Sequence, residues 1–485
     1  MAITKNFKHI PQDKRKKILL ICDDIRVHSG VATVAKEIVV HTANHFNWVQ
    51  IAGAIKHPES GKVLDLSKDT SVLLEIDDAS VKLYPVDGYG NEQILREILK
   101  IEKPDAVMLF TDPRYFSFIF RMEAEIRKQC PITYLNIWDD YPAPMYNSAF
   151  YEACDLLMGI SKQTVNINKL VLKGKEKNKI FRYLPHGKDS SLFYPLSDKE
   201  KSTKKFKDFK KQIFSNKNPK FVAFFNSRNI RRKQIPDTML AFREFLYSLP
   251  KEEAKDCYLI LHTEAVTDHG TDLYKVKEYL FDEHFPDQII FSHSKLPEDS
   301  LNYLYNIADV QMLLTSNEGW GLTLTEAILS GTPVIANSTG GMQDQLRFVD
   351  ENGEWFTPSA DIPSNHRGTY KECGKWAEPV YPSNISLAGS PGTPYIFDDR
   401  CDPNDVAAAL EYVYKLPKKD RHANGLAGRE WVTSSEAQMT ASQMCNNVIE
   451  GIEETLIKFK PRKRFDVFKA DEPRSKKVTH ALTGY

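Results

Sequence analysis

Glu318 and Glu326 bracket the segment Glu318-Gly-Trp-Gly-Leu-Thr-Leu-Thr-Glu326, in which seven residues separate two carboxylates. The segment follows an apolar run of strand length and leads into a helical pattern. It therefore forms the kind of strand-to-helix turn where parallel sheets collect ligands. Gly319 and Gly321 let the backbone approach a ligand closely. A helix starting near Thr323 presents unpaired N–H groups and the positive end of its dipole, which together suit an anion such as phosphate. Both glutamates can then face one cleft. A plainer reading accounts for the same residues: Thr323-x-x-Glu326 is a capping box, and Gly331 and Pro333 are an ordinary helix stop. Taken singly, the residues leave both readings open. Four other strand-end segments carry polar candidates: Arg228 with Lys233, Asp139 with Asp140, Gln343 with Asp344, and His28 beside Gly30. Alone these read as surface cations, strand-end carboxylates and a loop histidine.

The elements that must position them are legible as two successive blocks of short apolar runs alternating with amphipathic stretches. The first block has strand candidates at 17–22, 105–110, 132–137, 156–160 and 180–184; the second has them at 221–225, 258–262, 288–292, 310–314 and 333–336. Helical patterns lie at 31–43, 93–101, 236–249 and 298–308. Near-continuous apolar strands spaced by helices predict parallel sheets buried on both faces, and two blocks predict two doubly wound α/β domains. The boundary is placed at Pro195, giving a first domain over 1–195 and a second over 220–430. Between them, 199–220 holds nine lysines and reads as a solvated helix or linker, set at 196–219. The Pro-, Gly- and aromatic-rich stretch 353–400 reads as an irregular, ordered insertion in the second domain. Helical patterning resumes from 404 to about 458, and 461–485 is a basic, weakly patterned tail.

The Glu318–Glu326 segment, followed by Gly331-Thr-Pro-Val-Ile-Ala336 and Gly340-Gly341, resembles the E-x7-E signature of retaining glycosyltransferases of family 4, also called glycosyltransferase group 1. Supporting segments fall in the family's order. Phe225-Asn-Ser-Arg228-Asn-Ile-Arg-Arg-Lys233 resembles its loop carrying an Arg and, five residues on, a Lys. Leu184-Pro-His-Gly-Lys-Asp189-Ser-Ser-Leu-Phe-Tyr-Pro195 resembles its interdomain segment, with His186 in place of Asn. Ser29-Gly30-Val-Ala-Thr-Val-Ala-Lys-Glu37 resembles its first glycine loop, with one Gly where two are usual. The resemblance spans residues 17–350 and resumes from 402 to 458.

It implies the GT-B fold, two Rossmann-like domains facing across a cleft, with a C-terminal helix (431–460) crossing back to the first. The first domain would take the acceptor and the second a nucleotide-sugar donor, UDP- or GDP-linked. Arg228 and Lys233 would neutralise the leaving diphosphate, so no metal motif and no cofactor is required. Glu326 would accept hydrogen bonds from the ribose hydroxyls, and Glu318 would contact the donor sugar. The backbone of Gly319, Trp320, Gly321, Leu322 and Thr323 would meet the sugar or β-phosphate, while Gly30 would close on the phosphates from the other side. Many relatives carry a histidine after a strand of the first domain. Here that segment reads Asn136-Ile-Trp138-Asp-Asp140, which leaves Asp139 or Asp140 to hold a sugar hydroxyl or orient the acceptor. Gln343 and Asp344 stand where relatives often carry a Glu.

Composition narrows the partners. Lys+Arg and Asp+Glu both total 65, so the formal charge is zero, which argues against a general nucleic-acid clamp. The preferred acceptor is therefore a saccharide or lipid-linked saccharide. Hydroxymethylated cytosine in DNA, the substrate of some phage GT-B enzymes, is the alternative that the lysine run and the basic tail leave open. Contact with a membrane surface is left open on the same ground. A nucleotide-sugar-binding module without catalysis is disfavoured by the joint presence of Arg228, Lys233, Glu318 and Glu326. A phosphorylase using pyridoxal phosphate is disfavoured because no lysine segment resembles its cofactor site. Seven scattered cysteines without a CxxC pair, and a polar N-terminus without a signal-peptide core, give an intracellular, cytoplasmic setting as the expectation, that of a phage-infected cell included.

Overall fold

The computed structural model describes residues 8–462 apart from 216 and 293–295. All but the first two residues of the expected basic tail lie outside the described residues.

Eight strands form the first sheet: β1 (Lys16–Asp23), β2 (Phe46–Ala54), β3 (Leu64–Asp65), β4 (Val81–Asp87), β5 (Ala106–Phe110), β6 (Ile132–Asn136), β7 (Leu156–Gly159) and β8 (Ile180–Tyr183), in the order β3-β4-β2-β1-β5-β6-β7-β8. Only β3 runs antiparallel. The second sheet is wholly parallel: β9 (Phe221–Asn226), β10 (Cys257–His262), β11 (Ile289–Ser292), β12 (Val310–Leu313), β13 (Val334–Asn337) and β14 (Ala377–Val380), ordered β11-β10-β9-β12-β13-β14. That is the doubly wound order, in which strand order reverses between β9 and β12 and a crevice opens at their carboxyl ends.

Both faces of each sheet are covered, and the apolar runs follow from that. In β1, Ile18 and Leu20 point into one core and Leu19 and Ile21 into the other, so no position is left for a polar residue. Strands β2 and β4 escape the sequence reading because they depart from this rule. Strand β2 buries Gln50, whose Nε2 donates to the Asp23 carbonyl at 2.7 Å. Strand β4 interleaves Lys82, Tyr84 and Pro85 with its apolar residues.

The lysine run folds as two helices, Asp198–Lys201 and Lys204–Phe214, and the second buries Phe206 and Phe214. The stretch 353–400 corrects the expectation of an irregular insertion. It supplies edge strand β14 and an antiparallel hairpin of β15 (Asn384–Ser390) and β16 (Thr393–Arg400). The helix Ala441–Lys458 returns to the first domain as expected. It sinks Met444, Val448 and Ile452 into the core beneath β1, and Arg182 pairs with its Glu454 at 2.8 Å. In the helix Lys418–Val432 that precedes it, Arg429 donates to the carbonyls of Ser190 and Phe193 in the interdomain segment and of Leu329 in the second domain.

The packing of the helix Lys418–Val432 on the second domain depends on a missing side chain. A Cβ on Gly425 would lie 1.9 Å from the Gly331 carbonyl oxygen. Backbone there cannot yield as a flexible side chain would, so Gly425→Ala is expected to destabilise the protein by at least about 1–3 kcal/mol, the usual cost of overpacking. Urea denaturation checks this, and an unchanged midpoint would contradict the packing described.

Candidate functional site

Two adjacent turns at the carboxyl ends of β9 and β12 build the site. After β9, a single 3-10 turn over Arg231–Lys233 ends at Gln234, which adopts the left-handed conformation (φ 46°) before the helix Ile235–Ser248. After β12, Thr315 is held on both sides by the Asn337 amide: Nδ2 donates to its carbonyl at 2.7 Å, and Oδ1 accepts from its N–H at 3.1 Å. The turns are joined where Ser316 N–H donates to the Arg232 carbonyl at 2.7 Å. Gly321, at φ 84°, opens the helix Leu322–Leu329. In the first turn of that helix the amides of Leu322 and Thr323 have no intrahelical acceptor.

A second loop is pressed against the first. A Cβ on Gly340 would sit 2.0 Å from the Glu318 carbonyl oxygen, and one on Gly341 would sit 2.1 Å from that of Gly319. Only glycine fits, which explains Gly340-Gly341 without a ligand. Trp320 is a packing residue: its indole is buried and Nε1 donates to Thr325 Oγ1 at 2.9 Å, so only its backbone is available to a ligand.

Glu318 is almost wholly buried, and its carboxylate receives Lys233 Nζ and, at 3.0 Å, Arg232 Nη1. Burial alone would raise its pKa, but the two cations outweigh burial and hold it down to about 2. For Lys233, burial lowers the pKa by more than Glu318 restores. Arg228, the expected diphosphate cation, stands earlier in the loop after β9 and is not paired with Glu318. It is exposed and its guanidinium makes no hydrogen bond among the described residues. The cation beside Glu318 that the spacing rule passed over is Arg232, although Arg231-Arg232-Lys233 was visible as a run.

Glu326 also corrects one of the two open readings. It is not a cap, because the helix starts at Gly321 with no side-chain cap. Its carboxylate instead accepts from Tyr305 Oη at 2.7 Å and lies 3.3 Å from Lys188 Nζ. Neither partner was singled out by sequence; Lys188 stands in the interdomain segment, and Tyr305 on the inward face of a helix.

The first domain meets this site through the loop after β6. A Cβ on Gly319 would be 3.1 Å from the Ile137 carbonyl, so the two loops are in contact. Burial pushes the Asp139 carboxyl up to about 6, with Glu318 adding to the rise and Arg232 opposing it. Asp140 is raised further by burial, then by Asp139, Asp399 and Asp398. The last two belong to β16. Its hairpin is fixed to the second domain by Asp399 N–H donating to the Ser316 carbonyl at 2.9 Å, and to the first by Tyr146 Oη donating to the Tyr395 carbonyl at 3.0 Å. The hairpin thus straps one side of the cleft. His186 lies buried nearby; burial lowers its pKa to about 3 and its Nδ1 has no hydrogen-bond partner.

Other candidates take structural places. Gln343 donates to Gln163 Oε1 at 2.8 Å, and Asp344 accepts from Lys162 N–H at 2.8 Å, so both join the two domains. Gly30 begins the helix Gly30–His41 with Ser29 as its cap; Gly30 and His28 are exposed, and a Cβ on Gly30 would meet nothing within 4 Å. Among the described residues no cluster of three or more His, Cys, Asp or Glu could hold a metal ion, and no helix is long and apolar enough to cross a membrane.

Residues 205–364 match the family described as "Glycosyl transferases group 1". Two curated proteins are similar over part of the chain. Mannosylfructose-phosphate synthase of Agrobacterium fabrum is 26% identical over 193 residues, 40% of this chain and 39% of that protein. An uncharacterised glycosyltransferase, MJ1607, of Methanocaldococcus jannaschii is 37% identical over 60 residues, 12% of this chain and 15% of that protein. The matches therefore span well under half of either relative. Among solved structures, sucrose-phosphate synthase from Thermosynechococcus elongatus superposes with a TM-score of 0.63 at 15% identity, covering 91% of this chain and 100% of that one. Anabaena Alr3699/HepE, in complex with UDP and glucose, gives 0.60 at 13% identity with the same coverage. At such identities the likeness establishes the fold, which is GT-B.

The buried acids make stability depend on pH. Burial raises the Asp344 pKa to about 6, with Lys162 opposing. A carboxyl raised on folding stabilises while it is protonated in the fold; the contribution is complete below the unfolded value near 4 and is lost as pH climbs through 6. Asp344→Asn keeps an acceptor for Lys162 N–H and removes the charge. Its melting temperature, relative to the unsubstituted protein, is therefore expected to rise between pH 4 and pH 7. A difference that stays flat over that range would refute the raised pKa.

Proposed function

We propose that this protein is a retaining glycosyltransferase that moves a sugar from a UDP- or GDP-linked donor to a saccharide hydroxyl. The observation that carries the reading is the pairing of two buried carboxylates at one helix N-terminus. Glu318 is held by Lys233 and Arg232, and Glu326 lies in the next turn against Tyr305. Matching of this segment to a glycosyl-transferase family supports it, as does the GT-B fold shared with Anabaena Alr3699/HepE, solved in complex with UDP and glucose.

In the reaction the donor's bond from the anomeric carbon to the phosphate oxygen breaks while the acceptor oxygen bonds the same face of that carbon. The acceptor proton passes to the departing phosphate. The barrier lies in the charge that builds on the leaving diphosphate, so preformed donors at that point contribute most. Lys233, Arg232 and the exposed Arg228 supply cations, and the amides of Leu322 and Thr323 supply N–H groups at the positive end of a helix. Glu326 accepts from the ribose hydroxyls and Glu318 from the donor sugar. Asp139 stands across the cleft, positioned to hold a sugar hydroxyl in the place where relatives carry histidine. Contact between the two domains excludes water, which would otherwise hydrolyse the donor.

The acids Asp398, Asp399 and Asp139, where ionised, favour an acceptor that carries no phosphate, because a second anion would be repelled; Asp140, held well above the usual carboxylate range, adds no charge there at neutral pH. Metal-independent catalysis is part of the proposal and rests on the cations just named.

A thermal-shift screen over nucleotides and nucleotide sugars identifies the donor, since a ligand at 100 times its Kd stabilises by about 2.7 kcal/mol. With that donor, Lys233→Ala is expected to lower kcat/KM by about 10²–10³-fold, the typical effect of removing one preorganised charge stabiliser. Glu326→Ala is expected to act chiefly through the donor KM. Initial rates of donor turnover measure both, and undiminished activity in the two variants would overturn the assignment.

A further inference from the structure

The lysine run has no part in the site just described, yet its fold gives it a cavity. Lys201, Lys207, Lys210 and Lys220 line a cavity of about 470 Å³, faced from the other side by Lys418, Arg421 and His422. It lies at the opposite edge of the second sheet from the donor cleft, since Lys220, Asp309 and Pro333 in its wall immediately precede β9, β12 and β13. None of Arg228, Arg232, Lys233, Glu318 and Glu326 lines it.

The charge in this cavity is unbalanced in a specific way. Asp309 is its one acidic lining residue, and that carboxylate is already committed to Arg421 at 3.0 Å and to the Val222 N–H at 2.9 Å. On the helix Lys204–Phe214, Lys204 meets Asp208 and Lys205 meets Asp299, each at 2.6 Å. Lys207 and Lys210, one turn apart, have no acid partner among the described residues, and neither does Lys201, while Lys418 shares Asp309 with Arg421. Lys220, with Asp256 at 2.9 Å, is the paired lysine of the wall. Three unpaired ammonium groups around one concavity repel each other, and the low-dielectric walls raise the local potential. A multiply charged anion relieves that. The helix Lys418–Val432 adds N–H groups, since its first turn opens at Lys418 in the wall.

We propose that this cavity binds a small anion carrying two or more phosphate groups. Its volume is that of a small-molecule site, and its concave shape suits a compact ligand better than a flat membrane or a duplex. The donor cleft and this cavity share one side chain, Tyr305, which lines the cavity and donates its hydroxyl to Glu326.

Isothermal titration of the full chain with sodium tripolyphosphate tests the proposal. A saturable site is expected whose affinity falls at least tenfold with Lys207→Glu and Lys210→Glu and persists in the Lys233→Ala chain, in which binding of the anion in the donor cleft is weakened. Both lysines are exposed on the helix surface, and a circular-dichroism melt checks that the double variant folds. Should it not, Lys418→Ala is expected to weaken binding in its place. Binding lost with Lys233→Ala but kept in the lysine variants would assign the anion to the donor cleft and overturn the proposal. So would the absence of saturable binding to the unsubstituted chain. Vesicles containing anionic phospholipid form a second arm. Capture that depends on Lys207 and Lys210 but is not competed by tripolyphosphate would make this face a membrane contact and overturn the proposal as well.

Discussion

The site is organised around a carboxylate that cannot be left alone. Glu318 is about one-tenth exposed, and an ionised carboxylate at such depth is tolerated only with charged partners and hydrogen bonds. Lys233 and Arg232 meet that demand, and meeting it fixes the turns after β9 and β12 against each other. Removing one partner of such a pair leaves an uncompensated buried charge, which typically costs about 3–5 kcal/mol. The Asn337 amide on Thr315 and the close approach of Gly340 and Gly341 then hold the Glu318 backbone in place. Side-chain electrostatics and backbone sterics therefore constrain the same few residues, giving a rigid cradle rather than a loop that forms around its ligand.

The second constraint is that the first domain must meet this cradle. Some contacts are apolar, with Ile160 in the core of the second domain and Tyr183 against Trp355; others are polar and specific: Lys162 with Asp344, Gln163 with Gln343, and Tyr146 with Tyr395 of the hairpin. Hydrogen bonds of this kind lose little when water replaces the partner, so such an interface suits a cleft that opens and closes. The interdomain segment is held more firmly. Asn302 and Asn306 take the backbone of Tyr194 and Leu196, and Arg429 takes three carbonyls around it. That places any hinge motion beside Lys188, the residue that reaches Glu326.

Much of the architecture was legible because parallel sheets buried on both faces need unbroken apolar strands. Ten strand candidates came from that rule, and the structure places a strand at each. Where a buried strand carries a satisfied polar residue, as Gln50 does in β2, the rule is silent. The hairpin β15–β16 was hidden for the opposite reason. Strand β15 is largely exposed and β16 mostly half-buried, so neither shows a regular burial pattern. Within the site, the Glu318–Glu326 segment was found and its local conformation was not. The capping-box pattern at Thr323 gave way because Gly321, at a positive φ, starts the helix earlier and frees Glu326 for Tyr305. Arg228 was favoured over Arg232 by spacing along the chain, but a 3-10 turn presents successive side chains about 120° apart. Which cation of Arg231-Arg232-Lys233 faces inward is settled only by that turn.

The charge balance links these parts. The chain sums to zero, but two of the three cations assigned to the diphosphate are not free, since Lys233 and Arg232 are already paired with Glu318. In the proposed reaction a donor's phosphates must compete with Glu318 for Lys233, and the carboxylate that loses this partner is the one assigned to the donor sugar. Diphosphate arrival and release of Glu318 toward the sugar are then one exchange of partners. A free nucleotide lacking the sugar would pull Lys233 away and leave Glu318 buried with less compensation, whereas the complete donor offers hydroxyls to replace what Glu318 gives up. Discrimination between donor and product follows from that difference, because a buried charge is costly in proportion to what it fails to find.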